Sequence, residues 1–75
     1  DVIDKSQLLL DIEKVITELH KLGISHRDVA LRNICFNHDT GHYILIDYND
    51  AVDYIDLSIE EEMMTLRREL ESINN

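Results

Sequence analysis

Leu8, Ile12, Val15, Ile16, Leu19 and Leu22 follow one another in steps of three and four, which sets a single apolar stripe along a helix. A stripe of that length must be covered, and a chain of 75 residues has little with which to cover it. Two short runs rich in β-branched and aromatic types, Ile34-Cys35-Phe36 and His42-Tyr43-Ile44-Leu45-Ile46, flank the turn-forming Asn37-His38-Asp39-Thr40-Gly41. A second stripe, Ile59, Met63, Leu66, Leu70 and Ile73, closes the chain. The fold class expected is therefore α+β in one small domain, in the order helix, loop, antiparallel hairpin, loop, helix. A lone hairpin is marginal in water, so its apolar face is expected to pack on the first helix.

The boundaries are written in the polar residues. Asp4 and Gln7 have the spacing of a capping box, while His20 and Lys21 stand at the carbonyl end and Gly23 can close the helix near Leu22. Lys14 and Glu18 fall on the polar side. Ser58 and Glu61 repeat the capping spacing, and Glu60, Glu61 and Glu62 together read as ordinary first-turn acids. Cys35, between two apolar neighbours, reads as a buried inert thiol, and Met63 and Met64 as packing residues.

Sixteen acidic against seven basic side chains leave a net charge of −9, which repels nucleic acid and an anionic membrane surface. No apolar run approaches the roughly 20 residues that cross a bilayer. One cysteine gives no disulfide framework, so a reducing, intracellular and cytoplasmic setting is expected. The histidines His20, His26, His38 and His42 lack a zinc spacing, and Asp50, Asp53 and Asp56 read as a solvated acidic loop. A chain that opens on Asp1, without an initiating Met, is expected to be cut from something longer.

Between the first helix and the hairpin lies His26-Arg27-Asp28-Val29-Ala30-Leu31-Arg32-Asn33, and after the hairpin Ile46-Asp47-Tyr48-Asn49. Phosphoryl transfer asks for phosphates held through a metal and an acceptor hydroxyl oriented by a carboxylate that stands apart from that metal. Asp28 suits the second task. Asn33 and Asp47, an amide and a carboxylate oxygen, suit a hard divalent cation.

The pattern His-Arg-Asp, four residues, Asn resembles the catalytic loop of eukaryotic-type protein kinases, and Asp47-Tyr48-Asn49 resembles their metal-binding Asp-Phe-Gly with two residues changed. The resemblance runs from about Leu8 to Ala51 and places the chain at the heart of a kinase C-terminal lobe. It implies Asp28 as catalytic base, Asn33 and Asp47 as ligands to Mg²⁺ and the ATP phosphates, and His26 and Arg27 as scaffold. Ala30 and Arg32 make the loop similar to that of tyrosine kinases, and the abbreviated whole is similar to fungal-type and other atypical kinases. Asn49 stands where the family has Gly and would there have to accept a positive φ.

The family's Gly-rich loop, strand Lys and helix Glu, its N-terminal lobe, are missing from 1–75, and no Ala-Pro-Glu follows Asp47 because the chain has no Pro. These residues are thus expected to be inactive alone. Three readings stay open for the parent. It transfers phosphate from Mg·ATP to a protein hydroxyl, or to a small molecule in the manner of aminoglycoside and choline kinases, which Ile46-Asp47-Tyr48-Asn49-Asp50-Ala51 also resembles; or it is an inactive pseudokinase scaffold.

Overall fold

The computed structural model describes residues 3–73. Helix α1 spans Lys5–Lys21, strand β1 Ile34–Asn37, strand β2 His42–Leu45 and helix α2 Ile59–Ser72, with a single 3₁₀ turn, Leu31–Asn33, leading into β1. The strands pair antiparallel, Ile34 opposite Leu45 and Phe36 opposite Tyr43.

Helix α1 ends as its sequence dictates. Gly23 takes φ 79°, and the bonds Gly23 N–H to His20 O (3.0 Å) and Ile24 N–H to Leu19 O (2.9 Å) form the Schellman pair that a left-handed residue permits. At its start Asp4 accepts from Gln7 N–H at 3.1 Å, but the expected capping box is only half made. The Gln7 side chain turns instead to Gly41 O and to Asp11 Oδ2. A tertiary acceptor on the hairpin turn outcompetes the local one.

Leu8, Ile12 and Ile16 of α1 meet Met63, Leu66 and Leu70 of α2 and Leu45 of β2 in one core, with Val29 from the loop. Both helices and the inner face of the hairpin are thereby covered. Three expectations about burial fail at the margins of this core. Leu22 is 75% exposed because it caps α1 beyond the last packed turn. Met64 is 45% exposed, one step round the helix from buried Met63. Cys35 is exposed, because in a two-stranded sheet covered on one side it shares the outer face with its partner Ile44.

A polar clasp runs beside the apolar stripe. Asp11 accepts from Tyr43 N–H at 2.9 Å and pairs with His42 Nδ1 at 3.1 Å, while Tyr43 Oη accepts from Asp4 N–H at 3.2 Å. Partial burial opposes the charge on Asp11, but the bonds from Tyr43, His42 and Gln7 outweigh it and hold the carboxyl below its ordinary range. A depressed native value means that the contribution is complete above the unfolded value near 4 and is lost as the pH falls through the native one. Asp11→Ala is expected to cost about 1–2 kcal/mol at neutral pH and to flatten the acid limb of stability; urea titrations between pH 2.5 and 7 would show it, and an unchanged acid limb would remove Asp11 from the account.

Candidate functional site

Two loops carry the candidate acids, and the backbone ties them together before any side chain does. Ser25 and Val52 exchange both backbone bonds at 3.0 Å, and Ser25 Oγ donates to Tyr54 O at 2.8 Å. Ser25 and His26 are fully buried, so the loop leaves α1 through the interior.

His26 then fixes the geometry from its ring. Asp28 N–H donates to His26 Nδ1 at 3.1 Å, which leaves the ring proton on Nε2, and Nε2 sits 3.2 Å from Ile46 O as a donor. One imidazole therefore spans the peptide of Asp28 and the residue before Asp47. The Tyr48 ring meets His26 edge-on, centroids 4.8 Å apart. His26 thus contacts both loops that carry the candidate acids.

Asp28 and Asn33 are in direct contact. The buried Asn33 amide donates through Nδ2 to Asp28 O at 2.8 Å and Asp28 Oδ2 at 2.9 Å. Two acceptors facing one group identify it as the nitrogen, so Oδ1, the atom a hard cation takes, points elsewhere and meets no donor among the described residues. The bond from Asn33, with the exposed Arg32 guanidinium on Oδ1, holds the Asp28 carboxyl below its ordinary value against a smaller effect of burial. Asn33 O in turn accepts from Ile46 N–H at 2.7 Å, so Asp47 begins one residue from a bond to Asn33.

Arg27 and Asp47, at φ 72° and 60°, are the non-glycine residues with positive φ among those described. Left-handed backbone costs an L-residue roughly 1–2 kcal/mol, and both instances fall on the two loops of the site. Asp47 offsets part of this by accepting Asn49 N–H on Oδ1 at 3.2 Å. The left-handed residue expected at Asn49 is thus Asp47 itself, two positions earlier. Asp47 is solvent-exposed, with its carboxylate available to a cation.

Helix α2 supplies what the sequence reading overlooked. The carboxylate of Glu62, buried on the inward face of the first turn of α2, accepts from Arg27 N–H at 2.6 Å, from His26 N–H at 3.3 Å and from His20 Nε2 at 2.7 Å. Glu61 does cap the helix, in a complete box with Ser58, but Glu62 is no capping residue. Glu69, two turns on, accepts from Leu31 N–H at 2.8 Å. A signal for both was present: Glu62 and Glu69 interrupt the apolar face set by Ile59, Met63, Leu66 and Leu70, where an acid turned inward needs a partner. Arg27, by its Nε, reaches Asp56 at 3.8 Å across the acidic loop.

No three His, Cys, Asp or Glu side chains converge on a metal cage among the described residues. Clefts of about 300 Å³ between the helices and 180 Å³ beside Asp11 do not include Asp28, Asn33 or Asp47. What the arrangement offers is an open surface with a held carboxylate, an amide oxygen and an exposed carboxylate. That donor set fits Mg²⁺, which keeps waters and takes one or two protein oxygens together with substrate phosphates.

Over 43 residues, 57% of the chain, the sequence is 33% identical to a Dictyostelium discoideum protein described as a probable serine/threonine-protein kinase, fnkB. The aligned stretch covers 8% of that protein, so the likeness is to a small part of a far larger chain. No family model and no solved structure matches. The similarity relates this chain in part to a serine/threonine protein kinase. No helix among the described residues is long and apolar enough to cross a membrane.

Proposed function

We propose that these residues are the acceptor-orienting and metal-holding half of a protein-kinase-type phosphotransferase, a portion of a C-terminal lobe that works with a nucleotide-holding lobe. The observation that carries the reading is the Asp28–Asn33 pair, 2.9 Å apart, tied by His26 to Ile46, the residue before Asp47. Asp28 orients the acceptor hydroxyl and takes its proton. Asn33, through Oδ1, and Asp47 hold Mg²⁺, which when bound neutralises the charge on the ATP phosphates. The acceptor is a protein hydroxyl, a reading supported by the complete His26-Arg27-Asp28 loop and by the partial likeness to a serine/threonine kinase.

The test is phosphoryl transfer by the protein containing this chain and its nucleotide-holding lobe. With Mg·ATP and a protein acceptor, transfer is expected, and Asp47→Ala is expected to lower it by at least about 100-fold, since it removes a carboxylate that holds the metal on the transferred group. Turnover undiminished in Asp47→Ala would refute the metal role. Transfer to a sugar or amino-alcohol in place of protein would overturn the acceptor class.

A further inference from the structure

We propose that Glu69 is a positioning residue: it fixes the peptide between Ala30 and Leu31, and through that peptide sets Asn33 against Asp28. This rests on the reading of Asn33 and Asp28 given above for its functional meaning, though not for its geometry.

The 3₁₀ turn Leu31–Asn33 is the link between the two residues. Its first N–H, on Leu31, has no partner within the turn, and the residue at the cap position is Ala30, whose side chain offers no acceptor. Ala30 is 1% exposed, so water is a poor substitute. Glu69 reaches across from α2 and accepts that N–H at 2.8 Å.

A peptide unit is planar, so its N–H and C=O turn together. The unit whose N–H is held by Glu69 is the one whose carbonyl, Ala30 O, receives Asn33 N–H at 2.9 Å. Glu69 grips one edge of the plane and Asn33 hangs from the other. From Asn33 the chain of bonds continues through Nδ2 to Asp28 Oδ2. Without Glu69 the Leu31 N–H has no acceptor, the Ala30–Leu31 plane is no longer held in one orientation, and Asn33 loses its fixed backbone anchor.

Glu62 and Glu69 stand seven residues apart on one face of α2, roughly 10 Å along its axis. The first holds the peptides entering the loop at His26 and Arg27, the second the peptide before the turn. The loop is thus fastened to a rigid ruler at both ends, with Asp28 between.

The experiment compares Glu69→Ala, Glu69→Gln and Leu31→Pro in this chain by amide NMR, with Mn²⁺ as the metal probe. In Glu69→Ala the Nδ2 protons of Asn33 are expected to exchange faster while the amides of Leu45 and Leu66, in the core, keep their rates, and Mn²⁺ binding is expected to weaken by about tenfold, the usual cost of losing a group that orients a ligand. Glu69→Gln keeps an acceptor oxygen and should restore both. Leu31→Pro removes the N–H that needs a partner, and Ala30, at φ −146° and ψ 159°, already has the extended backbone that precedes Pro. In that background Glu69→Ala should change nothing further.

Unaltered Asn33 exchange in Glu69→Ala overturns the proposal, as does a full Glu69→Ala effect in the Leu31→Pro background. If Glu69→Ala alone does not fold, the double variant is compared with Leu31→Pro alone, since both lose the Leu31 side chain from the core: equal stabilities support the proposal, and a further loss places Glu69's role elsewhere. Absence of Mn²⁺ broadening at Asn33 and Asp47 in the unaltered chain would instead refute the metal reading and leave the positioning by Glu69 standing.

Discussion

Glu62→Ala is expected to destabilise the chain by about 3–5 kcal/mol, since each buried donor left without an acceptor costs about 1–3 kcal/mol. The substitution strands two backbone N–H groups, of His26 and Arg27, together with the His20 ring, and none of the three has another acceptor in reach on α2. It also releases Arg27, whose φ of 72° persists because its N–H is held. A domain of this length has a total stability of roughly 4–11 kcal/mol, so the substitution removes about a quarter of it or more. Guanidinium denaturation of Glu62→Ala, Glu62→Gln and Glu61→Ala gives the measurement. Glu62→Gln retains an acceptor for Arg27 N–H and should fall between, and Glu61→Ala, which removes only half of the capping box, should cost about 1 kcal/mol. A Glu62→Ala cost no larger than that of Glu61→Ala would mean that the loop is held some other way.

The three glutamates show where reading the sequence succeeds and where it stops. Glu60, Glu61 and Glu62 satisfy the same local rule, a favourable acid in a first helical turn, and nothing local separates them. Only the partner side distinguishes them, because Glu62 alone faces the loop, and that facing is a tertiary fact. The elements whose partners lie close in sequence were legible: the Gly23 stop, the Ser58–Glu61 box and the 38–41 turn with its Asn37 acceptor for Asp39 N–H. Gln7 misled because a distant carbonyl, Gly41 O, competed with its local target. Cys35 misled because alternation along a strand does not say which face is covered.

The placement of the candidate residues was legible to a similar degree. Asp28, Asn33 and Asp47 could be named from spacing, and the structure joins the first two directly and the third through Ile46. What spacing could not show is the means of joining. His26 works by two ring nitrogens facing different loops, and the left-handed residue proved to be Asp47 because its own carboxylate closes the turn on Asn49. Those are properties of orientation, and orientation is settled by packing.

In the protein joined to its nucleotide-holding lobe, Asp28→Asn is expected to lower the rate of phosphoryl transfer by about 10²–10⁴-fold, the usual contribution of a positioned base, and to leave Mn·ATP affinity nearly intact. Asparagine has the same shape and can still accept from Asn33 Nδ2 through its oxygen, so the loop should keep its form. Its amide then faces Arg32, donor against donor, and that ion pair is lost. The carboxyl of Asp28 is held low, so it stays ionised throughout the neutral range, and the rate should show no acid limb near the ordinary carboxylate value of about 4. Its stability contribution follows the same sign, complete above the unfolded value and lost as the pH falls through the native one. Single-turnover kinetics separates the steps: a slow chemical step with unchanged nucleotide binding supports Asp28 as base, whereas weakened nucleotide binding with normal chemistry would place Asp28 among the metal-holding groups and leave the acceptor proton to another residue.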